Sequence, residues 1–221
     1  LPIPAPGVEQ KAIWLQVRQQ RPDFVVLQTW GVMTATAVKE AVATGYPREK
    51  MFGTWWSGAE PDLKDVGAAA KGYLALTPYP AGADFEIHKR LKQYILDKGK
   101  SDLKDLKNFG SVYYNSGLVN AAIAVEAIRA GQKKFGNRPL NGEEGRWGLE
   151  HLDLGDARLK EIGFLGLMQP LKLSCSDHEG GGAAKVQQWD GAQWTLVTDW
   201  IQADRATLRP LIDAKAAEYA K

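Results

Sequence analysis

The chain has 221 residues, 44% hydrophobic and 24% charged, an ordinary globular balance that fits one large domain or two small ones. A net charge of +2, with Lys and Arg spread among acids, excludes a nucleic-acid surface, because no basic stripe interleaves with aromatics. No apolar run reaches the roughly 18–20 residues that span a bilayer, and the single cysteine, Cys175, has no internal disulfide partner, which leaves the compartment open.

Residues 1–7 are Pro-rich and extended. Residues 8–20 read as a helix, with Ile13, Leu15 and Val17 among Gln, Lys and Arg, until Arg21-Pro22-Asp23 breaks it. A short apolar β run follows over 24–27, then a helix over 35–44 that stops at Gly45. Residues 50–56 read as a second strand, 62–70 as a short helix and 73–77 as a third strand. An amphipathic helix spans 84–98, with Asp84 as its N-cap. This alternation predicts an α/β fold with a parallel sheet and helices on its faces.

The pattern then changes. Residues 113–135 form a long Ala-rich helix. Residues 141–151 form another, with Asn141 as cap and Glu144 three residues on, a capping-box spacing. A third covers 156–162. The stretch from Lys172 to Trp200 holds two β-like runs, 184–189 and 193–200, joined at Asp190-Gly191, a good hairpin signal. The glycines Gly180-Gly181-Gly182 before it suit a crossover between lobes. Residues 204–219 close the chain as a helix, and Pro210 inside it places the start near Arg209. Eight Trp is a high count for this length, and several stand at predicted strand ends.

The segments RPDFVVLQTW, GYLALTPY, YYNSGLVNAAIAVEAIRAG, RWGLEHL and LSCSDHEGGG…VQQWDG carry a resemblance. Together they are similar to periplasmic solute-binding proteins of the branched-chain amino acid ABC-importer family, whose members also serve aromatic acids. The resemblance covers essentially the whole chain. It implies the type I periplasmic-binding-protein fold, Rossmann-like with two lobes, represented by its C-terminal half. On that reading residues 1–107 are βα units of lobe 2. Residues 108–182 return into lobe 1, mostly as helices, and residues 183–221 return to lobe 2 as the hairpin and last helix. Crossings fall near 105–111 and 180–184, with the third upstream. A full-length member carries roughly 150 or more further residues upstream, judged by typical domain sizes. A processed leader leaves no trace in such a chain. The implied role is periplasmic capture of a solute for the membrane subunits of an ABC importer, without a cofactor. Self-association of the isolated portion is a further expectation.

In open α/β sheets a ligand sits beyond the carboxyl ends of the parallel strands. Two predicted strands end there in aromatics, Gln28-Thr29-Trp30-Gly31 and Thr54-Trp55-Trp56-Ser57. Trp30, Gly31, Trp55, Trp56 and Ser57 are therefore candidate ligand contacts, forming an apolar wall. The plainer alternative is that these rings cover helix ends. By resemblance, Trp30 falls where leucine-type binders carry a cleft tyrosine. The acid that holds the ligand ammonium in those binders matches Trp56 or Ser57 here, with Glu60 several residues on. A buried ammonium without a partner is costly. This tilts the expected solute toward an aromatic carboxylate, without excluding hydrophobic amino acids. Tyr113 and Tyr114, at the return into lobe 1, either reach the cleft with their hydroxyls or pack at a helix start.

Cys175, Asp177, His178 and Glu179 have the side chains of a zinc site, but neighbours in sequence rarely converge on one ion. His88 and His151 lack paired ligand spacing. No metal is expected, and the cluster reads as side chains tying a glycine-rich crossover to its neighbours. There is no G-x-S-x-G elbow, no H-E-x-x-H and no phosphate loop, so a binding protein is expected rather than an enzyme. A ligand-sensing domain of a receptor or regulator with the same fold is the alternative.

Overall fold

A computed structural model describes residues 1–103 and 106–219. The chain opens with α1 (Lys11–Gln20), β1 (Val25–Leu27), α2 (Val32–Ala43) and β2 (Met51–Gly53). α3 (Glu60–Lys64), β3 (Leu74–Thr77) and α4 (Glu86–Tyr94) follow. β1, β2 and β3 are parallel, with Val25 opposite Met51 and Phe52 opposite Leu74. The helices between them make the right crossover length for parallel pairing.

The hairpin adds β6 (Lys185–Trp189) and β7 (Trp194–Leu196) to this same sheet. β6 runs antiparallel beside β3, giving the order β1-β2-β3-β6-β7. Asp190 closes the turn as expected: its Oδ1 accepts from the N–H groups of Ala192 at 2.8 Å and Gln193 at 2.9 Å. One hydrophobic cluster joins the sheet to its helices through Trp14, Val38, Met51, Leu63, Tyr73 and Trp189.

Several local expectations are corrected. In α1 the inward residues are Trp14 and Val17, while Leu15 is exposed. Inward positions must recur at three- to four-residue spacing, which the pair 14 and 17 satisfies and 13, 15 and 17 do not. β2 ends at Gly53, and Trp55–Ser57 form a 3-10 turn instead of extending the strand. The turn is held by the Tyr73 hydroxyl, which donates to Ser57 O at 3.1 Å, and only glycine fits at position 53, where a Cβ would lie 2.2 Å from that hydroxyl. The expected helix over 62–70 divides into α3 and a 3-10 turn, Gly67–Ala70. Asp84 does not cap α4, whose N-cap position is Phe85 without a side-chain bond.

A second region follows, with α5 (Val112–Phe135), α6 (Gly142–Glu150), β4 (Asp153–Leu154), α7 (Asp156–Ile162) and β5 (Leu171–Lys172). β4 and β5 form a small antiparallel pair. The capping box stands as the sequence implies: Glu144 N–H donates to Asn141 Oδ1 at 2.9 Å, and Asn141 N–H donates to Glu144 Oε2 at 3.1 Å. A second cluster, including Val119, Leu152, Leu159, Phe164, Leu167 and Met168, forms its core. Arg158 grips the Glu126 carboxylate with two bonds of 2.8 Å, so the buried acid of α5 is tied to α7.

The chain passes from the first cluster to the second after β3. The return expected at 105–111 starts on Asp105, which lies outside the described residues. The last helix, α8 (Arg205–Tyr219), starts four residues before Arg209. Asp204 explains this: its Oδ1 accepts from Thr207 N–H at 3.1 Å, so the cap sets the start ahead of Pro210.

Candidate functional site

The register places Leu27 beside Gly53, so the loops leaving β1 and β2 emerge side by side at the carboxyl end of the sheet. Trp30 is 57% exposed and Trp56 44% exposed. Large apolar rings left open to water at one edge are the atypical feature here. Trp55 lies against Trp56, with ring centroids 3.9 Å apart and planes tilted by 30°.

Ser57 has a different place from its neighbours. It is fully buried, and its hydroxyl donates to Thr29 O at 2.7 Å and accepts from Thr29 N–H at 2.9 Å. It holds the two loops together. Thr29 Oγ1 also meets Thr34 Oγ1 at 2.9 Å, which anchors the first loop to α2. Gly31 turns the chain at φ +55°, a left-handed angle that favours glycine. Its N–H donates to Asp62 Oδ2 at 3.0 Å.

Asp62 also receives the Tyr113 hydroxyl, at 3.5 Å. Glu60, two residues earlier in α3, accepts the Val112 N–H at 3.0 Å and 3.3 Å, at the first turn of α5. Burial pushes the Asp62 and Glu60 carboxyls up from their ordinary values. The Tyr113 phenol is pushed up to about 12 by burial and then by the Asp62 charge. Tyr114 turns elsewhere: its ring packs on Phe109 at 5.0 Å and His88 at 6.1 Å.

The structure thus sets Trp30, Gly31, Trp55 and Trp56 on adjacent loops. Asp62 ties Gly31 to Tyr113, Ser57 holds the loops from below, and Tyr114 lies in a separate aromatic cluster. Asp62 was missed by the sequence reading. The only available signal was the acidic first turn, Glu60-Pro61-Asp62, which reads equally well as ordinary dipole matching.

The cluster at 175–179 is organised around Asp177. Its Oδ1 accepts from the N–H groups of Glu179 and Gly180, both at 3.2 Å, and Arg205 pairs with its other oxygen. Among the described residues no group of three His, Cys, Asp or Glu side chains is arranged to hold a metal ion. Added chelator is expected to leave the melting temperature unchanged. A fall of several degrees would overturn this, because a structural metal contributes directly to folding.

Residues 2–193 match the family described as periplasmic binding protein, and the chain belongs to that family. A solved structure described as an ABC transporter permease from the Pseudomonas fluorescens group is 72% identical, with a TM-score of 0.92 over 100% of this chain and 53% of that one. A branched-chain amino acid ABC transporter protein from Thermus thermophilus, solved with bound valine, is 23% identical, with a TM-score of 0.71 over 91% of this chain and 52% of that one. A solute-binding protein from R. palustris, solved with benzoate, is 15% identical, with a TM-score of 0.61 over 91% of this chain and 50% of that one. No curated protein sequence matches. The chain spans about half the length of the solved chains it matches. Its α/β fold is that of the type I periplasmic binding proteins, over about half of their length.

Proposed function

We propose that this chain forms part of the periplasmic solute-binding component of an ABC importer. It captures a hydrophobic amino acid or an aromatic carboxylate by closure of two lobes, and no bond is made or broken. The observation that carries this reading is the exposure of Trp30 and Trp56 beyond the carboxyl ends of parallel β1 and β2. Under this reading the sheet and its cluster belong to one lobe, and α5, α6, α7 and the second cluster to the other. Tyr113, at the start of α5, faces the first lobe across the cleft. The valine and benzoate complexes among the solved relatives support the two solute classes.

Calorimetry with L-valine, L-phenylalanine and benzoate tests the proposal, on this chain and on a chain extended to the length of its solved relatives. The extended protein is expected to bind one class. Trp30→Ala should weaken that binding by roughly 1–3 kcal/mol, the cost of losing a buried aromatic anchor. This chain alone should bind weakly, because a clamshell site draws its buried area from two walls. Unchanged affinity in Trp30→Ala would return the ring to a packing role. Equal affinity in both proteins would place the site elsewhere.

The same reading expects self-association. Phe24 is 68% and Val26 69% exposed at β1, which forms one edge of the sheet. An open apolar edge strand pairs readily with another chain. Sedimentation velocity should show a concentration-dependent rise in mass, and a constant monomer would refute this.

A further inference from the structure

We propose that Asp62, supported by Glu60, is a positioning residue that latches the two halves of the site together. The inference rests on the two-lobe reading above. α3 belongs to the first hydrophobic cluster through Leu63, whereas α5 belongs to the second through Val119. The two acids of α3 nevertheless bond to the opening of α5. Glu60 receives the Val112 N–H, and Asp62 receives the Tyr113 hydroxyl. The same Asp62 oxygen, Oδ2, receives the Gly31 N–H at 3.0 Å. One carboxylate oxygen, on a residue only 5% exposed, therefore joins the loop bearing Trp30 to the helix bearing Tyr113. These are the two elements that would face each other across a closing cleft.

The chemistry suits a latch that opens and closes. The first-turn N–H groups of a helix lack intrahelical acceptors, so Val112 needs an external partner when water is excluded. Glu60 supplies it, and its negative charge also faces the positive end of the helix dipole. In an opened form, water would replace both carboxylates at little cost. Closing must strip that water from two acids. Burial accordingly raises both of their pKa values. The groups facing the pair are Lys64 on α3, Tyr113 on α5, Tyr73 just before β3, the Gly31 N–H and the Thr34 side chain on α2. For an acid held above its ordinary pKa, the closed contact binds the proton more tightly than water does. The closed form is therefore favoured as pH falls and loses ground as pH rises through the raised values.

The test reads the spacing of the halves directly, with no solute added. In a Cys175→Ser background, Lys39→Cys on α2 and Lys133→Cys on α5 carry spin labels, and their distance distribution is measured. The parent should show a short population that grows as pH falls from about 7 toward the ordinary carboxylate range near about 4. Glu60→Ala with Asp62→Ala should lose that population. Glu60→Gln with Asp62→Asn should keep it, because amide oxygens still accept the same bonds, but should lose its pH response. An unchanged distribution in a folded alanine variant overturns the latch. If the alanine variant does not fold, a pH-independent parental distribution overturns it instead. The outcome is separable from the solute reading. Distances that respond as expected in a protein that binds none of L-valine, L-phenylalanine and benzoate refute only the choice of solute. Solute binding with unresponsive distances refutes only the latch.

Discussion

Gly148→Ala should destabilise the protein by about 3 kcal/mol, at the upper end of the cost of overpacking a core. Gly148 is buried in α6 where that helix crosses α5. A Cβ there would stand 2.2 Å from Ala127 O, 3.0 Å from Ala127 C and 3.3 Å from Gly131 N, all of them backbone atoms of α5. No side chain can rotate away to make room, so the two helices must separate. Intrinsic propensity pulls the other way, since Ala is favoured over Gly inside a helix by about 1 kcal/mol. Gly145, three residues earlier in α6, isolates that effect because nothing lies within 4 Å of its Cβ position. Gly145→Ala should therefore raise the urea midpoint while Gly148→Ala lowers it. A Gly148→Ala midpoint at or above the parent's would show that the helices do not approach this closely.

The α/β alternation, the hairpin and the capping box were legible because each depends on neighbours in sequence. Asn141 and Glu144 are three residues apart, and Asp190 closes its turn with residues two and three places on. Errors arose where a distant residue decides the outcome. β2 gives way to a turn whose Ser57 carbonyl accepts the Tyr73 hydroxyl, sixteen positions away in the chain. β4 and β5 are two residues each, too short for any period to register, and they pair across α7. The exposed tryptophans were found because strand ends in a parallel sheet are predictable places for them. Asp62 was not, because its meaning lies in contacts to Gly31 and Tyr113 that only the folded chain brings together. Ser57 shows the reverse: it stands beside Trp55 and Trp56 in the chain, yet its hydroxyl serves the backbone of the neighbouring loop.

Asn115→Ala should cost about 3 kcal/mol or more, and the loss should deepen in acid. Asn115 is fully buried in the first turns of α5. Its amide nitrogen donates to Pro80 O at 2.8 Å, Gly82 O at 3.1 Å and Gly110 O at 3.3 Å. Its oxygen lies 2.8 Å from His88 Nε2. One side chain thus fastens α5 and α4 to the segment that leaves the first cluster. Gly110 O keeps a partner without it, the Gly82 N–H at 2.8 Å, but Pro80 O and the His88 ring lose theirs. Each buried polar group left unsatisfied costs about 1–3 kcal/mol. The amide oxygen facing the ring also assigns the tautomer: Nε2 carries the proton, and Nδ1 is the bare nitrogen. The ring is 1% exposed and caged by Phe85, Phe109 and Tyr114, with Asp84 the nearby charge. Burial lowers the His88 pKa, against the opposing pull of Asn115 and Asp84. For a base with a depressed folded pKa, the unfolded chain takes up the proton first. Stability is then complete above the unfolded value of about 6.5 and falls as pH drops below it. Removing Asn115 takes away a group that favours the charged ring, so the acid slope should steepen. His88→Gln should flatten it, since no proton is taken up there. Urea midpoints at pH 5, 6, 7 and 8 for the parent and both variants decide the matter, and equal slopes in the parent and His88→Gln would remove the histidine from the account.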